Sequence, residues 1–329
     1  MIREFGKFSR YFTQQGVADM VSKMPKPTTP MMDLLFPAGR RVQKSSPFVS
    51  VEDITDATGA VPLVRRDGRS VPLDGGEKTR KLIEVDPIKV SRFAPAKDIN
   101  DMIALGDTAS VQAYVSEQTE YMRDRVSETC ETLTRQAMSG KISYPYSTID
   151  GQGGTCEIEL GRPHQLPAAT IKGGNIGTIQ KWLENALTKY QQKAGSIGTP
   201  AFLLGESVYF ALVDIIVSMN QNAPVVWTPE GMTLFGKYKI HTLSTTYTLP
   251  GSTTVNKIVA DNELRIVDLS NAGKAIYAAL DDLDANLAPL PFYVKPIKTD
   301  DPDGAKLIGQ SKFIPAIAMS RQAKQTVAV

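Results

Sequence analysis

Apolar residues recur at steps of three, four or seven from Val111 through Val115, Met122, Val126, Cys130 and Leu133 to Ala137. That spacing lays a single apolar stripe along a helix and does not fit a strand. Glu117, Glu120, Arg123, Asp124, Arg125, Glu128, Glu131 and Arg135 fill the other faces. Glu131 and Arg135 stand in the favourable i,i+4 order, so the pattern predicts a helix over 107–139 that buries a narrow strip and is wet elsewhere. Asp107 or Thr108 can cap its start, and Gly140 suits the left-handed conformation that ends a helix. Thirty-odd residues at about 1.5 Å each reach roughly 45 Å, too long for the core of a compact domain. The helix is expected to act as a spar to which other elements attach.

A different texture follows over 175–284, where helices and strands alternate as an α+β layer. Ile179, Trp182, Leu183, Ala186, Leu187 and Tyr190 keep helical spacing, with Thr178 expected as the cap and Gly195 as the end. Residues 201–204 read as a buried strand and 206–220 as a second helix. Residues 257–260 and 265–267 read as strands joined by Asp261-Asn262. Ahead of this domain, 142–149 and 156–160 read as short strands across a Gly151–Gly154 turn, expected to lie against the spar. Behind it, 292–298 and 306–319 form a long hairpin around Thr299–Gly304 that returns the chain to the first domain.

The segment 48–94 mirrors itself around Asp67-Gly68, the pair that a two-residue hairpin turn favours because both central positions need positive φ. Pro62 and Pro72 remove ladder donors from both arms, so the ribbon cannot lie inside a sheet and must project. An isolated two-stranded ribbon is marginal in water, so something outside the monomer is expected to hold it. Its basic tip, Arg65, Arg66, Asp67, Gly68 and Arg69, then faces an acidic or hydrogen-bonding partner; the alternative is a solvated loop. Leu82–Val85 and Ile88–Val90 form the returning strand. Residues 1–47 carry five prolines and eight bases against three acids. They are expected to form an arm whose Leu34, Leu35 and Phe36 cover a neighbouring subunit.

Composition narrows the picture. The 329 residues are 42% hydrophobic and 22% charged, which allows about two domains with a real core. A net charge of +2 predicts neither general nucleic-acid affinity nor membrane adhesion. Two cysteines, Cys130 and Cys156, give no disulfide framework and suit a reducing cytoplasm. The scattered Arg3, Lys7 and Arg10 interrupt any signal-peptide core, and the chain is expected to be cytosolic when made.

Catalytic motifs come close and fail. Gly205-Glu206-Ser207-Val208-Tyr209 follows a strand and opens a helix, like a nucleophile elbow, but lacks the second glycine, and only His164 and His241 could serve as base. Gly231 to Lys237 matches a phosphate loop until Tyr238 replaces the magnesium-binding hydroxyl, and a strand rather than a helix follows. Asp301 and Asp303 resemble part of a calcium loop, with Thr299 and Gln310 at positions that need carboxylates. Two histidines and two distant cysteines leave no zinc site. Neither catalysis nor a cofactor or metal is expected.

The order of basic arm, projecting hairpin, overlong helix, separate α+β domain and returning hairpin resembles the major capsid proteins of tailed bacteriophages. Leu34-Leu35-Phe36-Pro37 leading to Val51-Glu52-Asp53-Ile54, and Arg80 to Pro95 entering the helix, are similar to the lambda-type family, the major capsid protein E family. So are Val259-Ala260-Asp261-Asn262-Glu263-Leu264, then Asp281-Asp282-Leu283-Asp284, Asp301-Pro302 and the apolar run Phe313 to Met319. The resemblance implies an α+β Hong Kong 97-type capsid fold. It implies an N-terminal arm over 1–47, an extended loop over 48–94, a peripheral domain over 95–174 with the spine helix, an axial domain over 175–284, and a return to the peripheral domain over 285–329. It implies many copies of the chain as partners, gathered as pentamers and hexamers into an icosahedral head, with scaffold, portal and possible decoration proteins and non-specifically held DNA. The implied location is the virion, with assembly in the host cytoplasm and no membrane. Arg65, Arg66 and Arg69 would touch the adjacent subunit. Some relatives crosslink or lose an N-terminal piece; with Met1 in place, loss is not expected here. Rival readings are a bacterial nanocompartment shell of the same fold and a soluble hydrolase using Ser207.

Overall fold

The computed structural model describes residues 12–50, 82–104, 108–147, 153–195, 197–218, 224–242 and 246–329. Their helices are α1 (Gln14–Lys23), α2 (Pro30–Leu35), α3 (Ala96–Ala104), α4 (Thr108–Ala137), α5 (Ile176–Ala194) and α6 (Glu206–Val217). Strands β1 (Arg41–Lys44), β2 (Phe48–Ser50), β3 (Leu82–Glu84) and β4 (Ile88–Pro95) precede α4. After it come β5 (Lys141–Ser147), β6 (Gly153–Glu159), β7 (His164–Gln165), β8 (Ala169–Thr170) and β9 (Pro200–Leu204). Then follow β10 (Val225–Thr228), β11 (Gly231–Leu234), β12 (Tyr238–His241), β13 (Thr246–Thr248), β14 (Val255–Lys257) and β15 (Glu263–Asp268). The last are β16 (Gly273–Ala278), β17 (Tyr293–Asp300), β18 (Asp303–Ser311), β19 (Phe313–Ile317) and β20 (Gln322–Ala328). The chain divides into two compact units: one built from residues up to 47 with 84–134 and 275–315, the other from 135–274 and 316–329 with the described parts of 48–83.

The long helix forms where its spacing predicts. Val111, Val115, Met122, Val126, Cys130 and Ala137 are buried and Leu133 is half-buried. The buried strip is wider than the apolar stripe, because Thr119, Arg123, Glu131 and Thr134 are buried too. Thr119 and Thr134 donate to the carbonyls of Val115 and Cys130 one turn back, which removes the cost of burying their hydroxyls. The helix ends at Gly140, whose φ of +92° is open to glycine; a Cβ there would lie 2.1 Å from the Gly161 carbonyl oxygen.

In the first unit, β17, β18 and β4 form an antiparallel sheet in that order, with Leu307 opposite Arg92 and Ala305 opposite Ala94. Ala94, Val294, Ala305 and Leu307 pack with Val115 and Met122 of α4 and with Phe12 and Val17. The turn Asp301-Pro302 joining β17 and β18 is tight, which accounts for the short polar interruption read in the sequence.

Residues 12–47 correct the expectation of an arm lying on a neighbour. Leu35 and Phe36 are fully buried within a single chain, and Leu34 is half-buried. The prolines forbid a long helix, but Pro30 at the first helical position starts the short α2 instead, where its missing N–H costs nothing. Its next two N–H groups, Met31 and Met32, donate to the Glu131 carboxylate at 2.8 and 3.0 Å. Glu131, read as a wet surface residue, is therefore a buried cap.

In the second unit eight strands form one sheet, ordered β10-β11-β12-β9-β15-β20-β7, with β8 also paired to β20. Phe202, Leu204, Leu264, Ile266, Ile240 and Met232 face α5 and α6 across one core. All six apolar positions predicted for α5 are buried, and Gly195 closes it with φ +75°. The cap differs: Asn175 accepts from the Thr178 N–H while Thr178 reaches back, a capping box in which Thr178 is the inner member. Two further differences are long-range. Residues 258–260 are not a strand beside β15; β14 stops at Lys257 and pairs with β13, and β15 pairs with β9 and β20. The final strand β20 enters this sheet instead of returning to the first unit. The β5–β6 hairpin is tied to the last turn of α4, since Gln136 both donates to the Ser143 carbonyl at 2.6 Å and accepts from its N–H at 3.1 Å.

Candidate assembly surfaces

The basic tip Arg65, Arg66, Asp67, Gly68 and Arg69 lies outside the described residues. The possible chemical centres are described, and each is structural. Ser207 sits in the first turn of α6, where its N–H donates to the Asp261 carbonyl at 3.1 Å. His164 is held by the Ser320 carbonyl at 3.1 Å, and His241 Nε2 is buried with no hydrogen-bond partner among the described residues, so neither is seen to engage Ser207. The phosphate-loop look-alike is the β11–β12 hairpin; its Lys237 pairs with Glu184 at 2.8 Å, and the Tyr238 hydroxyl donates to the same carboxylate. Those two bonds hold the Glu184 carboxyl below the usual range. The Asp301–Asp303 turn is a hairpin tip in which Thr299 Oγ1 donates to the Pro302 carbonyl at 3.0 Å. Among the described residues no three His, Cys, Asp or Glu side chains group as a metal site, and no helix is long and apolar enough to cross a membrane.

His241 carries a measurable consequence. Burial holds its imidazole below the ordinary value of about 6.5, opposed by Glu230 and reinforced by Lys239. Its contribution to stability is complete above that value and is lost as pH falls through it, because the unfolded chain takes up the proton first. Thermal midpoints at pH 7.5 and 5.5 should fall further for the wild type than for His241→Asn; equal falls would show that the ring is not strained by protonation.

What the described surface offers instead is apolar area. Four exposed large apolar groups fall within one short stretch of the second unit: Phe210 and Val217 on α6, Val226 and Trp227 on β10. Helix α6 buries Val208, Leu212 and Ile216 against the sheet, and its outer side mixes Phe210 and Val217 with the exposed Glu206 and Asp214. Among the described residues, strand β10 pairs only with β11 and forms an edge. At the base of the 48–83 segment, Phe48 and Leu82 are exposed on the β2–β3 pair. In the first unit Leu283, 82% exposed, stands in the acidic turn after Leu280. On α4, Tyr121 lies between the guanidinium groups of Arg92 and Arg125, 4.3 and 5.1 Å from its ring centre. That Phe210 and Val217 share one stripe of α6 was legible from their helical spacing. The exposed edge was not, since a run such as Val225-Val226-Trp227-Thr228 reads equally well as buried.

Large apolar groups left bare on a single copy mark a surface used for contact. The family described as phage major capsid protein E matches residues 13–322. A crystal structure described as the capsid protein of a prophage of E. coli CFT073 is similar over 100% of both chains, with 17% identity and a TM-score of 0.59. The capsid of a native GTA particle aligns over 93% of each chain at 11% identity and TM-score 0.47. An encapsulin of Synechococcus elongatus PCC 7942 aligns over 94% of each at 10% and 0.43. No curated protein matches the sequence. The fold is thus the α+β, Hong Kong 97-type fold of phage capsid subunits, and the matching family is structural, which removes the Ser207 hydrolase reading. From its residue 13 to its residue 322, this chain belongs to the phage major capsid protein E family, and it is a structural subunit of a virion capsid.

Proposed function

We propose that copies of this chain assemble as pentamers and hexamers into the icosahedral head that encloses the double-stranded DNA of a tailed bacteriophage. The observation that carries the reading is the extent of the family match, which takes in both compact units. Exposed apolar groups on β10, α6 and the β2–β3 pair support it, because a subunit that worked alone would cover them. We assign the peripheral role to the unit holding β17-β18-β4 and the axial role to the unit holding the eight-stranded sheet. The extended loop lies within 48–87, since β4 belongs to the peripheral sheet, and Arg65, Arg66 and Arg69 on the loop pair with the adjacent subunit. Scaffold and portal proteins guide closure in the host cytoplasm, and DNA meets the inner surface without sequence preference.

Electron microscopy of the chain expressed with its scaffold tests this. Closed icosahedral shells are expected from the wild type, and only soluble subunits or capsomers from a chain lacking Val61 to Leu73. Shells of normal form from the deleted chain would refute the role of the ribbon. Particles that hold protein cargo and no nucleic acid from an infected cell would favour a nanocompartment. Arg66→Glu should weaken assembly more at low salt than at high salt, since screening shortens the reach of an unfavourable pair.

A further inference from the structure

The eight-stranded sheet ends differently at its two edges. At one edge β7 and β8 contribute two residues each, and β8 with α5 frames a cleft of about 230 Å³. Ala168, Ala169 and the buried Trp182 line it with the polar Thr170 and Asn185, and the exposed Lys181 and Lys189 line it too. At the other edge β10 pairs, among the described residues, on one side only and carries no charge from Val225 to Thr228. Monomeric proteins protect such an edge with a lysine, a bulge or a covering element. Among the described residues only the flanking Pro224 and Pro229 limit pairing, and they lie outside the four residues of the strand.

Register shows that knob and cleft share a face. Trp227 is opposite Met232, Met232 is opposite Ile240, and Ile240 is beside Phe202, all three of which lie in the core beneath the helices. Trp227 continues that row past the core and is 53% exposed. The cleft opens on the same side, because Trp182 belongs to the same core and Gln325, which accepts its indole N–H at 2.9 Å, is opposite Leu264. The charges also match. Lys181 and Lys189 are exposed and form no ion pair among the described residues; Glu230, three residues beyond Trp227, is exposed and likewise forms none.

A knob and a cleft at opposite edges of one sheet cannot meet within a copy. Between copies they form a heterologous contact, which repeats head to tail and closes into a ring when the rotation per step divides the circle. We propose that Trp227 of one copy docks in the Lys181–Lys189 cleft of the next, with Glu230 against the two lysines, and that this contact builds the rings of the shell. The occupant is a second copy because the cleft and the knob are complementary in charge and belong to the same capsid subunit. An indole entering a preformed cleft lined in part by lysines combines apolar burial with cation–π attraction, the composition of an interface anchor. The assignment rests on the shell-subunit reading and gives it a ring contact.

The test uses the full chain in a Cys156→Ser background, with Thr228→Cys and Ala168→Cys introduced together so that Trp227 stays in place. A short bismaleimide should yield a ladder of covalent oligomers ending at the ring size, and Trp227→Ala in the same chain should reduce the ladder at least about tenfold, as loss of a central aromatic anchor does. Shells that form without a ladder overturn the contact and leave the shell reading intact. A ladder without closed shells supports the contact and counts against the shell reading. The second arm is Lys181→Glu with Lys189→Glu, expected to lower the ring population by about tenfold at low salt, with Glu230→Lys restoring it. No loss, or loss without restoration, overturns the pairing.

Discussion

Replacing Glu131 with alanine should destabilise the first unit by about 2–5 kcal/mol, since each of two buried N–H donors left without an acceptor costs about 1–3 kcal/mol. Helix α2 begins at Pro30, and Thr29 before it makes no capping bond with its side chain. The first two N–H groups of the helix, on Met31 and Met32, instead reach the carboxylate of Glu131, about a hundred positions along the chain and 6% exposed. One carboxylate thus satisfies two buried donors and places a negative charge at the positive end of a helix. Alanine would strand both N–H groups. Glutamine keeps the length but offers one acceptor, so Glu131→Gln should cost about 1–2 kcal/mol. Urea unfolding and limited proteolysis read the effect: cleavage should appear between residues 24 and 36 in Glu131→Ala while the second unit keeps its hydrogen-exchange protection. An alanine variant within about 1 kcal/mol of the wild type would show that water replaces the carboxylate.

Asp268 should be as costly in the other unit. It is fully buried, and one of its oxygens accepts the N–H groups of Gly198, Thr199 and Ser270 at 3.2, 3.1 and 3.0 Å. The other accepts from the Asn271 amide at 2.9 Å. The side chain therefore holds the loop entering β9 against the turn leaving β15. Asp268→Ala is expected to lose about 3–5 kcal/mol, and Asp268→Asn clearly less, because its carbonyl oxygen can still accept from the three backbone donors. The order of urea midpoints, wild type then Asn then Ala, checks the account; Asn as damaging as Ala would mean that charge, not geometry, holds the loops.

Both cases show where reading from sequence stops. Periodicity placed α4 and α5 closely, because apolar spacing along a helix is a local property of the chain. Gly140 and Gly195 marked their ends for the same reason: a backbone at positive φ selects glycine wherever it occurs. Polar residues were harder. Glu131 looked like a surface acid because its partners lie near position 30, and Asp268 had no motif because its donors come from loops on either side of a strand. In the arm expected over 1–47, the prolines and the apolar Leu34, Leu35 and Phe36 are visible in the sequence, while the pocket that receives Leu35 and Phe36 is not.

The assembly surface divides in the same way. The sequence by itself determined the length of α4, the apolar face of α5, the mixed α+β character and, through the order of its elements, the capsid family. Tertiary structure alone decided that β20 completes the eight-stranded sheet, that Leu35 and Phe36 are interior, and that Trp227 stands bare at one edge while a cleft lined in part by lysines lies at the other. Spacing along the chain encodes which side of an element is apolar. Whether that side is covered depends on what the fold brings from elsewhere, and the residues that supply the cover are far away in sequence.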